Sequence, residues 1–217
     1  GIPADDVYWF DASKQHKRIS ANVSGFLGTT RISLNDNLLT RSSHESIDAV
    51  MGHEMGHYAL NHSSKHLSSL AILLFAGFAL VAWAYRRLCH RYGTRWGIDG
   101  IADPAGLPLL MALFSVWFFV STPVTNSIIR VAEVEADIFG LNAAGQPDAF
   151  AHTAMQLSEY RKIKPDPLEE VLFFDHPSGY NRVRMAMRWK KEHLGDKLSA
   201  PAAAPPETIP TSPAEVP

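Results

Sequence analysis

Two long stretches without a charged side chain limit what this chain can fold into. They span residues 67–85 and 104–129, and an arginine-rich polar loop separates them. As a helix, the first stretch would be about 28 Å long, close to the hydrocarbon thickness of a bilayer. Trp83 and Tyr85 end it, where aromatic side chains favour the membrane interface. We therefore predict a transmembrane hairpin (about 67–85 and 104–125) in a multi-pass integral membrane protein. Two buried helices of a soluble core are the alternative.

The remaining sequence predicts a mainly α-helical fold with a small antiparallel β-sheet near the N-terminus, an α+β class. A capping box between Ser42 and Glu45 predicts the start of the first long helix. Residues 195–217 are rich in Pro and Ala and predict a disordered tail, so we expect one domain over residues 1–194. Short β-prone runs occur at 7–10, 18–23 and 30–34, and later helices are predicted at 126–144, 148–161 and 178–194.

Charge and cysteine content exclude some classes of site and partner. The formal net charge of −2 gives no attraction for a nucleic acid, so we expect no such partner. The single cysteine, Cys89, excludes an intrachain disulfide framework and a cysteine-based zinc site. The chain begins at Gly1 without a signal-peptide pattern, so we expect a fragment of a longer protein. Its oligomeric state is left open.

The first long helix carries the sequence His53-Glu54-Met55-Gly56-His57. Residues four apart lie on the same face of a helix, so His53 and His57 can bind one metal ion. Glu54 can then reach a water molecule at that metal. This pattern is typical of zinc proteases, in which the glutamate acts as a general base. A surface helix with two histidines by chance is the alternative. We also expect this helix to run on into the membrane.

A polar stripe on the helix after the second apolar run offers a third ligand. Asn126, Arg130, Glu133 and Asp137 share one helical face. Glu133 is the best candidate, because a hydrolytic zinc site usually has three protein ligands and an open position. Asp137 would accept the other N–H of a zinc-binding histidine or orient the helix, and Arg130 would balance the acidic charge. Glu135 points to the opposite face, so we predict a surface or packing role for it. An exposed amphipathic face is the alternative.

His176 and Arg182 are candidates for transition-state stabilisation. His176 precedes Pro177, and Arg182 lies near the start of the last helix. Near a hydrolytic zinc, a histidine and an arginine could stabilise the oxyanion that forms when water attacks an amide. For the other histidines, among them His62, we predict surface or packing roles.

Four stretches together resemble the integral-membrane zinc metalloproteases that include the CAAX prenyl proteases and the HtpX-type heat-shock proteases. They are the H-E-x-G-H sequence at 53–57 with Asn61-His62, R-x-x-E-x-x-A-D at 130–137, H-P-x-x-x-x-R at 176–182, and an Asn with a following strand at 20–39. The resemblance covers roughly residues 7–190. It implies a gluzincin-type pair of zinc helices joined by a transmembrane hairpin.

The resemblance also implies roles for particular residues. His53, His57 and Glu133 would bind one Zn²⁺ per chain, and Glu54 would activate the water. The residues implied to line the substrate cleft are Asn22, His176 and Arg182.

We therefore expect a zinc-dependent endopeptidase at the membrane, with a membrane-associated protein or peptide as substrate and the lipid bilayer as its surroundings. A non-catalytic membrane scaffold or chaperone with a structural zinc is the alternative, and a soluble zinc protease is a third reading. The positive-inside rule places the arginine-rich loop in the cytoplasm and the zinc site outside. The resemblance implies a cytoplasmic catalytic side, and we favour that orientation.

Overall fold

The computed structural model describes residues 6–25, 29–158 and 162–199. The mainly helical fold with a small N-terminal sheet is confirmed, and a short 3₁₀ turn, Pro104–Gly106, connects the two longest helices. In chain order the elements are β1 (Val7–Phe10), β2 (Ala21–Ser24), β3 (Arg31–Asn35), α1 (Asp36–Arg41), α2 (His44–Ala59), α3 (His62–Trp96), α4 (Leu107–Ala144), α5 (Pro147–Leu157), α6 (Pro167–Phe173) and α7 (Gly179–Ser199).

The sheet has the order β1-β3-β2 and is mixed, which corrects the expected antiparallel pairing. β2 pairs antiparallel with β3, but β1 pairs with it in parallel, with Phe10 opposite Asn35. Just beyond β1, the backbone N–H groups of Ala12 and Ser13 donate to the Asp36 carboxylate, 2.9 and 3.1 Å away. Asp36 follows β3 directly, so these bonds hold the carboxyl ends of β1 and β3 together and make the pair parallel.

α2 packs against α4 with almost no side chain between their backbones. A Cβ added at Gly56 would lie 2.9 Å from the Cα of Ala136, and one added at Gly140 would lie 2.8 Å from the backbone nitrogen of His53. Only glycine permits so close an approach. The two helices that carry the predicted ligands therefore face each other at short range.

Two boundaries of α2 differ from the prediction. Its N-cap is Ser43, whose side chain accepts from the backbone N–H of Ser46, so the cap lies one residue after Ser42. The helix ends at Ala59 and does not run on into the apolar stretch. Asn61 adopts a left-handed conformation with φ of 54°, and α3 starts a new helix at His62. This break changes the direction of the chain directly after the predicted zinc ligands.

α3 and α4 contain the two apolar stretches and are each long and apolar enough to cross a membrane. Of their most apolar windows, only 11% and 0% of the residues are buried. This exposure is the opposite of what the core helices of a soluble protein show. α4 continues through Pro123 and carries the polar stripe before it ends at Gly145, one of the two glycines that we expected to end it.

A small core holds the remaining helices beside α2 and α4. Ala49, Leu141, Phe150 and Ala186 are buried together, and Trp189 packs on them. α7 continues to Ser199, so the first residues of the expected tail are helical. Residues 200–217 of that tail lie outside the described residues.

Candidate metal centre

The three predicted ligands converge. Nε2 of His53 lies 3.1 Å from Nε2 of His57, and these two atoms lie 3.4 and 3.3 Å from the carboxylate oxygens of Glu133. Zinc–ligand bonds of about 2.0–2.1 Å in a tetrahedral site place neighbouring ligand atoms about 3.3 Å apart. The triangle of donor atoms therefore has the size that a tetrahedral zinc site requires. The set of two imidazole nitrogens and one carboxylate also suits zinc.

Asp137 fixes the orientation of His53. Its Oδ1 lies 2.7 Å from Nδ1 of His53, and its side chain is fully buried. Arg182 in turn donates to both carboxylate oxygens, from Nε at 2.8 Å and from Nη2 at 2.5 Å. With Nδ1 of His53 directed at a carboxylate, Nε2 keeps its lone pair for a metal ion. This is the contact that we predicted for Asp137, between its carboxylate and the second ring nitrogen of a proposed ligand histidine.

His57 has a different partner, which sequence reasoning missed. Its Nδ1 lies 2.9 Å from Nδ1 of His62, and Nε2 of His62 lies 3.0 Å from a carboxylate oxygen of Glu135. His62 is only 1% exposed. We expected surface or packing roles for both His62 and Glu135. The family-like Asn61-His62 sequence after the second ligand was the one signal in the chain that pointed to His62.

The electrostatics of the cluster favour a bound cation. Burial lowers the pKa of His53, but its contacts with Asp137 and Glu133 outweigh that effect and raise the pKa to about 9. The site therefore holds a proton strongly when no other cation is present. Burial also raises the pKa of the Glu54 carboxyl, which the neighbouring imidazoles partly oppose. A carboxyl with a raised pKa is a better proton acceptor.

A cavity of about 240 Å³ opens onto the cluster. Glu54 lines it together with His53 and Glu133 and accepts a hydrogen bond from the backbone N–H of Val23. Ala21 of β2 forms part of its wall. Most of its apolar lining comes from α1, α2 and α5: Leu38, Ala49, Val50, Phe150, Ala154 and Leu157.

The other predicted site residues lie at different distances from the cluster. His176 lines the cavity, with Nε2 3.4 Å from Glu133 and Nδ1 2.9 Å from Asp175. Asn22 is exposed, and among the described residues it is Ala21, not Asn22, that lines the cavity.

Arg130, which we predicted to balance the acidic charge, directs its guanidinium at backbone carbonyls in and just after α6. Its guanidinium donates to the backbone carbonyls of Glu170 and Phe174, at 3.0 and 2.6 Å. Asn126 likewise donates to the carbonyl of Leu172, at 3.0 Å. These two residues of the polar stripe therefore hold α6 against α4, and α6 leads directly to His176.

Comparison with known proteins places this geometry in a family. Residues 1–190 match the family described as Peptidase family M48. The chain belongs to this family. It is 33% identical over 187 residues to a protein of Bacillus subtilis (strain 168) named uncharacterized metalloprotease YhfN, a match that covers 85% of this chain and 44% of that protein. It is 30% identical over 184 residues to the CAAX prenyl protease 1 homolog of Dictyostelium discoideum, covering 82% of this chain and 42% of the relative.

The fold has a counterpart among solved structures. The crystal structure of S. mikatae Ste24p superposes with a TM-score of 0.69 at 25% identity, covering 86% of this chain and 47% of that one. The family model and these relatives confirm the resemblance that the sequence motifs indicated. The chain spans less than half the length of the relatives and of the solved structure that it matches.

Proposed function

We propose that this chain is the catalytic part of a zinc-dependent endopeptidase. The observation that carries the proposal is the triangle of His53, His57 and Glu133 donor atoms, with Glu54 lining the same cavity. A zinc ion held by these three residues would act as a Lewis acid toward the scissile carbonyl and lower the pKa of a coordinated water.

Glu54 is the general base in this proposal. Its carboxylate takes a proton from the attacking water and delivers it to the nitrogen of the leaving amine. Its burial and raised pKa support the role, because both favour proton uptake from a neighbour. A purely structural zinc site has no need of such a carboxylate, which argues against the scaffold alternative.

His176 and Arg182 are the proposed stabilisers of the oxyanion, and both line the cavity. Nδ1 of His176 lies 2.9 Å from Asp175, and its Nε2 lies 3.4 Å from Glu133 and so faces the proposed ligand cluster. Arg182 already donates twice to Asp137, so its first effect is to hold the carboxylate that orients His53. Any contact of Arg182 with the oxyanion would use the remaining guanidinium nitrogen.

The substrate main chain is proposed to lie along β2, an edge strand of the described sheet. The carbonyl of Ser20 accepts from the backbone N–H of Asn35, at 3.0 Å. Since hydrogen-bonding direction alternates along a strand, the polar backbone groups of Ala21 and Val23 face away from β3 and toward the cavity. An extended peptide can add to such an edge. The role of Asn22 in substrate binding stays a prediction.

The apolar parts of α3 and α4 are proposed to span the membrane as a hairpin, with the metal centre on the cytoplasmic side. Their exposed apolar surface supports the span, and their helical connection to His62 and Glu133 would keep the site near the bilayer surface. Substrates would then be proteins or peptides at that surface. The domain is proposed to comprise residues 1–194 as expected.

Replacement of Glu54 by Gln tests the mechanism. We expect Glu54→Gln to retain one zinc per chain, measured by metal analysis of the purified protein, and to lose at least about 100-fold in peptide cleavage. Met55→Leu on the same helix is the matched control for expression and folding. Cleavage by Glu54→Gln at the wild-type rate would disprove the proposed mechanism. If the wild type and Glu54→Gln both bind zinc and neither cleaves the peptide, the result would favour the scaffold alternative.

A further inference from the structure

A second cavity, of about 270 Å³, adjoins the catalytic cavity. The two share walls formed by Ile19, Leu157, His176 and Arg182. The basic and amide side chains that line the second cavity are Lys17, Arg18, Arg41, Gln156, His176 and Arg182. None of its lining residues in the described part of the chain is Asp or Glu, although the carboxylate of Asp175 contacts the lining, 2.9 Å from Nδ1 of His176. This space therefore continues the proposed substrate cleft into a positively charged region.

The segment that carries Lys17 is held firmly in place. Asn35 and Asn37 are buried, and their side-chain amides donate to the carbonyls of Arg18 and His16 at 2.7 and 2.8 Å. The guanidinium of Arg41 donates to the carbonyl of Lys17. That acceptor is uncharged, so the bond positions Arg41 without neutralising it. These hydrogen bonds therefore fix the backbone that forms this wall of the second cavity.

Of the basic side chains that line the cavity, Lys17 and Arg41 are available to a ligand, because Asp137 already neutralises Arg182 and Arg18 already has another interaction. Gln156 adds a polar group, because its side-chain oxygen is buried without a hydrogen-bond partner in the described part of the chain. A half-turn of this amide presents N–H donors instead of the oxygen. Two cations and an amide donor around one small space suit a carboxylate.

We propose that this cavity binds a carboxylate of the substrate and so selects peptides with an acidic residue close to the scissile bond. The inference rests on the proposed peptidase function and specifies its substrate class. A carboxylate side chain and a free C-terminal carboxylate share this chemistry, so the experiment must separate them.

The position of the acidic residue follows from the strand edge. The chain runs from Lys17 beside the second cavity to Val23 beside Glu54. Antiparallel strand pairs are slightly more stable per residue than parallel ones. A substrate antiparallel to β2 places the residues that follow the scissile bond toward Lys17. The acidic residue is therefore expected after the scissile bond, and the second and third positions after it are the first to test.

Fluorogenic peptides blocked at both ends test the proposal on the full chain in detergent. One series carries Glu or Gln at the second and third positions after the bond, and another carries them at the same positions before it. We expect kcat/KM to be roughly two- to fivefold higher for Glu than for Gln after the bond, as one partly screened ion pair gives. A Gln peptide that ends at the third position after the bond with a free C-terminal carboxylate is compared with the blocked Gln peptide. A higher kcat/KM for the free peptide shows that a terminal carboxylate also occupies the cavity.

Charge reversal at the cavity is the decisive variant. In Lys17→Glu/Arg41→Glu the ratio of Glu-peptide to Gln-peptide kcat/KM should fall below one, and this ratio is independent of how much protein is folded. Arg188→Glu, on an exposed part of α7, is the control and should keep the wild-type ratio. Equal cleavage of both peptides by the wild type, or a preference unchanged by charge reversal, would overturn the proposal. A preference before the bond would overturn the antiparallel placement.

Failure of the peptidase function is distinguishable from failure of this proposal. If the wild type cleaves no peptide, the proposed function fails. Fluorescence anisotropy of labelled Glu and Gln peptides on the Glu54→Gln protein then tests the cavity by binding alone. Equal affinity for both peptides there would overturn the carboxylate site.

Discussion

Nδ1 of His57 lies 2.9 Å from Nδ1 of the buried His62. Because Nε2 of His57 faces the other ligands, its proton belongs on Nδ1, and His62 must accept it there. His62 then carries its own proton on Nε2 and donates to Glu135, 3.0 Å away. A neutral imidazole therefore lies between a proposed ligand and a carboxylate, where the carboxylate itself usually makes the contact.

Loss of His62 should weaken metal binding. We expect His62→Ala to lower zinc affinity by about 10-fold or more, because partners that orient a ligand histidine typically contribute that much. Competition with a chromophoric chelator measures this affinity without reference to catalysis. His193→Ala, on an exposed part of α7, is the matched control. Equal zinc affinity of His62→Ala and the wild type would show that His62 only fills space.

Two arginine–carboxylate pairs that involve described residues of α7 should contribute very differently to stability. Asp137 is fully buried against Arg182, whereas Glu192 and Arg188 are both largely exposed. Asp137→Asn should lower the free energy of unfolding by about 3–5 kcal/mol, because it leaves a buried charge unpaired. Glu192→Gln should change it by less than about 0.5 kcal/mol.

Thermal unfolding with EDTA present measures these differences without a contribution from bound metal. Similar melting temperatures for Asp137→Asn and Glu192→Gln would mean that the buried pair adds no net stability.

The parts of the site that sequence predicted are those that depend on local helical geometry. His53 and His57 lie one turn apart, and Glu133 and Asp137 lie one turn apart on α4, so spacing alone placed each pair on one face. The contact between Asp137 and His53 follows once the two helices face each other. The H-P-x-x-x-x-R motif singled out Arg182, but its two hydrogen bonds to Asp137 were not foreseen.

The parts that sequence missed depend on changes of chain direction. His62 reaches His57 because the left-handed residue Asn61 breaks the helix, and no periodicity predicts that break. Glu135 does point away from Glu133, as spacing indicated, but α3 lies on that side. The parallel pairing of β1 similarly depends on the long-range bonds of Asp36 to the segment after β1.

The close approach of α2 and α4 predicts a steep cost for a single methyl group. A Cβ at Gly56 would meet the backbone of Ala136 at 2.9 Å, and backbone cannot move aside locally. Gly56→Ala should lower the free energy of unfolding by about 1–3 kcal/mol through overpacking. Because the helices carry different ligands, it should also weaken zinc binding. Gly100→Ala, with no atom within 4 Å of the added Cβ, is the control. A Gly56→Ala protein as stable as Gly100→Ala would contradict the packing.

Asp36 should make part of the stability depend on pH. Hydrogen bonds from Ser13, Ala12 and Asn37 hold the pKa of its carboxyl below the usual value. A carboxyl whose pKa is lowered by folding stabilises the fold above its unfolded pKa of about 3.9 and loses this contribution as pH falls through the lower folded value. The melting temperature of the wild type should therefore drop more steeply than that of Asp36→Asn between about pH 5 and pH 3. Parallel curves for the two proteins would rule out this contribution.

The proposed sidedness of the hairpin can be read from single cysteines. Cys89 is the one cysteine of the chain, so Cys89→Ser gives a cysteine-free background. In that background, Gly100→Cys reports on the loop between α3 and α4, and Asp48→Cys reports on the exposed side of α2. With a cytoplasmic metal centre, a membrane-impermeant maleimide should label position 100 in right-side-out vesicles and position 48 only in inverted ones. The reverse pattern would place the metal centre outside, and labelling of both positions from one side would exclude the membrane hairpin.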